Sequence, residues 1–218
     1  MSIFSRHKSG LVEPDQLLVG RSERPFPMPA RHRVLDAPVM TDEVPDGYEA
    51  AIFGLGCFWG AEERYWRTPG VWSTSVGYAG GTTPHPTYDE VCSGRTNHTE
   101  AVRVVFDPKV VSYADLVKTF FEVHDPTQGF RQGNDVGTQY RSAIYWTTPE
   151  QEQTARELTK AYGDELARRG LGEITTEIRP ASETPYYYAE DQHQQYLAKN
   201  PFGYRCHANT GVKFPAMA

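Results

Sequence analysis

The chain has 218 residues, 39% hydrophobic and 12% aromatic, which suits one domain with a sizeable core and excludes a disordered composition. Its formal net charge of −6 argues against general binding to phosphate backbones, which needs a basic face. No window reaches the roughly 18–20 apolar residues of a membrane span, the opening MSIFSRHKSGLVEPDQ lacks the apolar stretch of a secretory signal, and the expected location is the cytoplasm.

Residues 1–45 are proline-rich with few apolar repeats, and read as an extended arm that wraps a core or moves on it. Periodicity begins near Tyr48, so the folded domain is expected over 46–218. YEAAIFGLG is a short apolar run closed by glycines, a buried strand. CFWGAEERYWRTPG follows at helical spacing, with Phe58, Ala61 and Tyr65 on one face and Pro69-Gly70 as the stop. VWSTSVGYAGG reads as a strand ending in a glycine turn, and TYDEVCSG as a short helix ended by Gly94. TEAVRVVFDP alternates as a strand. SYADLVKTFFEVHDP is a helix opened by Ser112 and Asp115 in capping-box spacing.

HDPTQGFRQGNDVGTQY (124–140) is expected to be a long polar loop, a kind of segment that is commonly functional. RSAIYWT is a strand. TPEQEQTARELTKAYGDELARRG is the clearest helix, with Thr148 as its cap and Pro149 in the first turn. EITTEIRP alternates as a strand, YYYAEDQHQQYLAKN reads as helix or helical turns, and the tail from Pro201 is coil. The mixture of alternating and hairpin-like elements gives an α+β fold: a mixed β-sheet with helices packed on it, as a two-layer sandwich or α/β roll.

The three cysteines, Cys57, Cys92 and Cys206, are too few for a disulfide scaffold. None sits in a C-x-x-C pair, and adjacent Cys206 and His207 chelate poorly, so no metal site is expected. Cys57 falls at a strand-to-helix junction, where free N–H groups and the helix dipole lower a thiol pKa. That position fits a reactive thiolate and equally an inert core cysteine. Glu100 alternates with Val102, Val104 and Phe106 on one strand face. If buried there, its carboxyl stays protonated and serves as a general acid; at the strand's end it is equally free to turn to solvent. Tyr88, Asp135 and Tyr140 lie in loop-like surroundings, where tyrosine hydroxyls are donors to a polar oxygen or simply pack. Cys92, beside Val91, reads as buried and inert. Cys206, on a coil tail, fits either a surface thiol or one that condenses with a sulfenic acid.

GCFWGAEERYW (56–66) resembles the active-site motif of the peptide methionine sulfoxide reductase A family. So, in the same order, do VGYAGG (76–81), PTYDEVCSGRTNHTEAV (86–102), HDPTQGFRQGNDVGTQYRSAIY (124–145), ITTEI (174–178) and AEDQHQQYLAKNP (189–201). The resemblance implies a thiol-dependent repair enzyme acting on the S epimer of methionine sulfoxide, free or in proteins. Cys57 would be the nucleophile, Glu100 the acid on the sulfoxide oxygen, and Tyr88 and Tyr140 its hydrogen-bond donors. Phe58 and Trp59 would hold the methyl group, and Asp135 would orient the substrate. Cys206 resembles the resolving cysteine, with thioredoxin or another dithiol as reductant, no further cofactor, and a monomer as the expected state. The family often reads Gly-Tyr-Cys where this chain has Gly203-Tyr204-Arg205-Cys206. The further tail cysteine of some members is replaced here by TGVKFP, so a two-cysteine cycle is expected. A thiol peroxidase and a non-catalytic module binding methionine-containing or oxidised peptides each account for part of this pattern. The peroxidase would not need Glu100 and two tyrosines around a methyl pocket, and in the binding module Cys57 would be a bystander.

Overall fold

The computed structural model describes residues 10–216; the first nine residues of the expected arm and the last two of the tail lie outside the described residues. Eight strands and five α-helices are β1 (Glu49–Leu55), α1 (Phe58–Trp66), β2 (Val71–Ala79), α2 (Tyr88–Cys92), β3 (Thr99–Phe106), α3 (Tyr113–Val123), β4 (Arg131–Gln132), β5 (Asp135–Val136), β6 (Ser142–Trp146), α4 (Pro149–Arg168), β7 (Glu177–Pro180), β8 (Tyr187–Tyr188) and α5 (Tyr196–Lys199), among the described residues. Six strands form one sheet in the order β7-β6-β1-β3-β2-β8. All its pairs are antiparallel except β6 with β7. The fold is α+β, a mixed sheet with helices packed on it, as the element pattern predicts.

The helices share one face because the strands alternate. Phe53, Val76, Tyr78, Val102, Val104, Phe106 and Ile144 all point to that face. They meet Phe58, Ala61 and Tyr65 of α1, Leu116, Phe120 and Phe121 of α3, and Leu158 and Tyr162 of α4. Phe53 lies at the centre, 5.2 Å from the Tyr65 ring and 5.6 Å from Phe120. The opposite face carries a smaller cluster around Ile52, Ala101 and Tyr145, packed by Ala181 and Tyr186. Helix starts follow the expected chemistry. Thr87 and Glu90 close a capping box on α2, and Ser112 and Thr148 accept N–H groups of α3 and α4.

The arm wraps the core rather than leaving it. Ser73 donates to the Pro38 carbonyl at 2.6 Å, Arg103 to Thr41 O at 2.8 Å, and Tyr188 Oη accepts the Thr41 N–H. Arg21 grips Glu90 of α2 with two bonds of 2.8 Å.

Four expectations change. The segment 124–140 is not a bare loop: it folds into the β4–β5 hairpin, turned at Gly133 (φ +59), and a 3-10 turn over 138–140. The strand expected over 173–180 shortens to β7, since the Thr175 N–H bonds Pro126 O at 2.8 Å instead of a ladder partner. The helix or helical turns expected over 186–200 form as separate turns, a 3-10 turn and the short α5 parted by Gln195 in a left-handed conformation (φ 46), and the stretch begins with the unexpected strand β8. Cys92 is half-buried rather than buried.

Phe53→Ala should cost about 3–5 kcal/mol of stability by removing the ring that joins β1 to α1 and α3. Urea denaturation checks this through a lowered midpoint with an unchanged slope.

Candidate active site

β1 runs out at Leu55, the chain turns through Gly56, and Cys57 caps α1. Only glycine suits the turn. Its φ is +89, and a Cβ there would lie 2.6 Å from the Gln132 side chain. The first two N–H groups of α1 then divide between two reactive groups. That of Phe58 donates to Glu100 Oε2 at 3.0 Å, and that of Trp59 reaches the Cys57 sulfur. Glu100 is 1% exposed, opposite Tyr78 in the β2–β3 ladder. Period-two alternation therefore buries its carboxyl, and the solvent-facing alternative is excluded. Burial pushes its pKa up to about 8 against the opposing Phe58 hydrogen bond, so the group carries its proton at neutral pH.

The thiol departs from expectation. Burial first, and then the Glu100 carboxyl, push the Cys57 pKa well above the usual thiol value, and the Trp59 N–H offsets only part of this. The helix N-terminus is where the sequence puts it, but desolvation of a side chain only 8% exposed outweighs it. Cys57 therefore rests as a thiol beside a protonated acid.

Tyr88, on α2, and Tyr140, at the end of the 3-10 turn, are half-buried, and both hydroxyls are kept protonated by burial and by Glu100. The Tyr88 ring lies 6.3 Å from Phe58 and 4.3 Å from His193. Trp59 stacks on Tyr196 with 4.0 Å between centroids, and its Nε1–H meets His193 Nδ1 at 3.2 Å. Phe58 is fully buried beneath it. Asp135, on β5, is half-buried and accepts from Tyr204 Oη at 3.1 Å; burial raises its pKa and Tyr204 opposes the rise. Cys206 is half-buried, with its thiol 3.5 Å from Gln132 O. It shares with Cys57 a cleft of about 270 Å³ lined also by Glu63, Gln132 and Arg205. The residues singled out in the sequence thus gather around the start of α1. Cys92 lines a separate pocket with Asp135 and Tyr140, and Tyr88 hydrogen-bonds its sulfur. Among the described residues, no group of three or more His, Cys, Asp or Glu could hold a metal ion, and no helix is long and apolar enough to cross a membrane.

A family model described as peptide methionine sulfoxide reductase matches residues 49–217. The chain belongs to the peptide methionine sulfoxide reductase family. It is 56% identical to the peptide methionine sulfoxide reductase MsrA of Azotobacter vinelandii over 209 residues, covering 96% of this chain and 95% of the relative. Methionine sulfoxide reductase A of Corynebacterium diphtheriae matches with a TM-score of 0.84 and 53% identity, over 95% of this chain and all of that one (100%). Reduced Mxr1 of Saccharomyces cerevisiae matches with a TM-score of 0.68 and 32% identity, over 75% of this chain and 92% of its own. The family model begins at 49, after the arm, yet the Azotobacter reductase aligns along nearly the whole chain.

Sequence reasoning missed the residues that hold this reductase site in place. Glu62, fully buried on α1, accepts from Thr74 Oγ1 at 3.0 Å, and from Gln195 N and Nε2 at 2.8 Å each. His32 of the arm completes the chain. Its Nδ1 accepts the Val34 and Leu35 N–H groups, which leaves Nε2 to donate to Thr74 Oγ1 at 2.8 Å. Glu190 accepts from Tyr78 Oη and from the Tyr88 N–H, both at 2.8 Å. The signal available was an uninterrupted acidic pair, Glu62-Glu63, one turn into an amphipathic helix; Glu62 falls on its buried side.

Two outcomes follow. Burial raises the Glu62 pKa to about 7, so its contribution to stability is complete below the ordinary glutamate value of 4.5 and is lost as pH rises through about 7. The stability gap between wild type and Glu62→Gln should therefore narrow between about pH 5 and about pH 8, as read by thermal melts. Alkylation of Cys57 by iodoacetamide, followed by mass spectrometry, should be slow at neutral pH and rise only in the alkaline range.

Proposed function

We propose that the protein reduces the S epimer of methionine sulfoxide, in proteins or free, to methionine, with Cys57 as nucleophile and Glu100 as the acid. The observation that carries this reading is the convergence of a protonated, buried Glu100 and the Cys57 thiol on the first two N–H groups of α1. A sulfoxide sulfur is a poor electrophile until its oxygen is protonated or strongly hydrogen-bonded. Here the acid is kept neutral by burial, and Tyr88 and Tyr140, whose hydroxyls both feel the Glu100 carboxyl, would be the donors.

The steps balance with both groups starting protonated. Glu100 gives its proton to the sulfoxide oxygen while Cys57 Sγ bonds to the sulfoxide sulfur, and the carboxylate so formed takes the thiol proton. The S–O and S–S bonds of the adduct then break as the hydroxyl passes to Cys57 Sγ and the S–S electron pair stays with the methionine sulfur. Methionine leaves, its sulfur reduced, and Cys57 is left as a sulfenic acid. Phe58 and Trp59 receive the methyl group and Asp135 orients the rest. A wholly apolar pocket separates sulfoxide from sulfide poorly; donors left unpaired without the oxygen separate them well. Cys206 then attacks the sulfenic acid, water leaves, and a Cys57–Cys206 disulfide forms. The dithiol of thioredoxin reduces that disulfide and is itself oxidised. The catalytic unit is 46–218, a monomer working in the cytoplasm, with 1–45 as its extension.

Steady-state turnover of resolved methionine sulfoxide epimers with dithiothreitol tests the assignment; no consumption of the S epimer would sink it. In single turnover the rate should fall as pH rises through about 8, where Glu100 loses its proton. Glu100→Gln should be slower by ~10²–10⁴-fold and Cys57→Ser inactive.

A further inference from the structure

Arg205 is the residue by which this tail departs from the Gly-Tyr-Cys pattern, and the structure gives it a partner on the helix that begins with the nucleophile. Its Nε and second terminal nitrogen clasp Glu63 of α1 at 2.7 and 3.0 Å, a two-pronged pair. The remaining nitrogen bonds the tail's own backbone, Pro201 O at 2.9 Å and Gly203 O at 3.3 Å. One guanidinium therefore gathers the residues before Cys206 and fastens them to the second turn of α1. The Glu63 side chain is only 14% exposed, and its Oε1 also accepts from Arg67 at 2.9 Å. The guanidinium lowers the Glu63 pKa, so the pair stays charged at neutral pH. From 204 to 209 the chain has no helix or strand, so its position depends on side-chain anchors. Cys206 follows immediately, with Glu63, Arg205 and Cys57 lining one cleft.

We propose that the Arg205–Glu63 ion pair is a latch that presents Cys206 to the oxidised Cys57 and sets the rate of disulfide formation without taking part in sulfoxide reduction. This rests on the reading of Cys206 as the resolving thiol. A thiol on an untethered coil meets its target only in a fraction of its conformations. Fixing the preceding residue to the helix that carries the target raises its effective concentration. Arg205 is a positioning residue: it lies on the tail side of the cleft, apart from Glu100, Tyr88 and Tyr140. The pair is partly exposed, so screening by salt weakens it.

The test gives enzyme one equivalent of methionine sulfoxide. It follows methionine release, trapping of the sulfenic acid with dimedone, and disulfide formation by mass spectrometry, in wild type, Arg205→Ala, Arg205→Lys, Glu63→Gln and Cys206→Ser. The latch predicts an unchanged methionine burst in Arg205→Ala, with disulfide formation slowed roughly tenfold and more sulfenic acid trapped. Arg205→Lys and Glu63→Gln should fall between, since each keeps part of the clasp. At about 1 M salt the wild type should approach Arg205→Ala, which itself should be insensitive to salt. Disulfide formation at the wild-type rate in Arg205→Ala, or slowing that salt does not reproduce in wild type, would overturn the latch. Cys206→Ser separates the two levels. If its sulfenic acid persists, the resolving role stands whatever Arg205 does; if it still disappears into a disulfide, the resolving role and the latch fall together.

Discussion

A single hydrogen bond organises this molecule: the N–H of Phe58, at the start of α1, donating to the buried carboxyl of Glu100 on β3. It joins the layer of helices to the sheet at the point where the chemistry is proposed to occur. Burying a carboxyl in an apolar face is costly, and the structure meets that cost by leaving the group neutral and giving it a helix N-terminal donor. The same face holds Val102, Val104 and Phe106, so the strand cannot slip by one residue. A slip would expose the core residues and turn Glu100 away from α1. The register that stabilises the sheet is thus the register that places the acid.

Around this bond the electrostatics run against the simplest expectation for a reactive cysteine. A helix N-terminus favours thiolate, but here burial and the neighbouring carboxyl favour thiol. Two protonated groups side by side form a site that is quiet toward adventitious electrophiles. It becomes reactive in the proposed mechanism once a substrate oxygen takes one proton and frees the carboxylate to take the other. In the proposed reaction, selectivity follows from that coupling as much as from the shape around Phe58 and Trp59.

Both ends of the described chain meet at α1. The arm arrives through His32, Thr74 and Glu62, and Glu62 passes the connection on to Gln195, next to the segment that packs on Trp59. The tail arrives through Arg205 on Glu63 and Tyr204 on Asp135, then anchors at Phe214, whose ring lies 5.5 Å from Tyr162. The adjacent glutamates Glu62 and Glu63 divide the work. One is sealed in the core and holds the segment that packs on Trp59, while the other is near the surface and holds the thiol-bearing tail. Regular ladders build the scaffold; side-chain contacts hold the tail that carries the resolving thiol of the proposed cycle.

The amino-acid sequence by itself determined the periodic parts. The four strands at the sheet's centre, the first four helices with the Ser112 and Thr148 caps, and the face shared by Glu100 and Val102 all follow from alternation, helical spacing and capping chemistry. These are local and repeat within a few residues. The family blocks then pointed to Cys57, Glu100, Tyr88, Tyr140, Asp135 and Cys206 as a set. Tertiary structure alone decided what depends on partners distant in sequence. The β4–β5 hairpin is tied by Gln132, whose amide bonds Asp125 O at 2.9 Å. The stretch 186–200, which reads equally as one helix or as helical turns, forms separate turns because Glu62, some 130 residues earlier, captures Gln195 in a left-handed turn. Above all, the protonation of Cys57 was beyond reach of the sequence. The dipole of a helix start can be read from its residues, whereas the desolvation that overrides it exists only once β3, α1 and the tail have closed over the thiol.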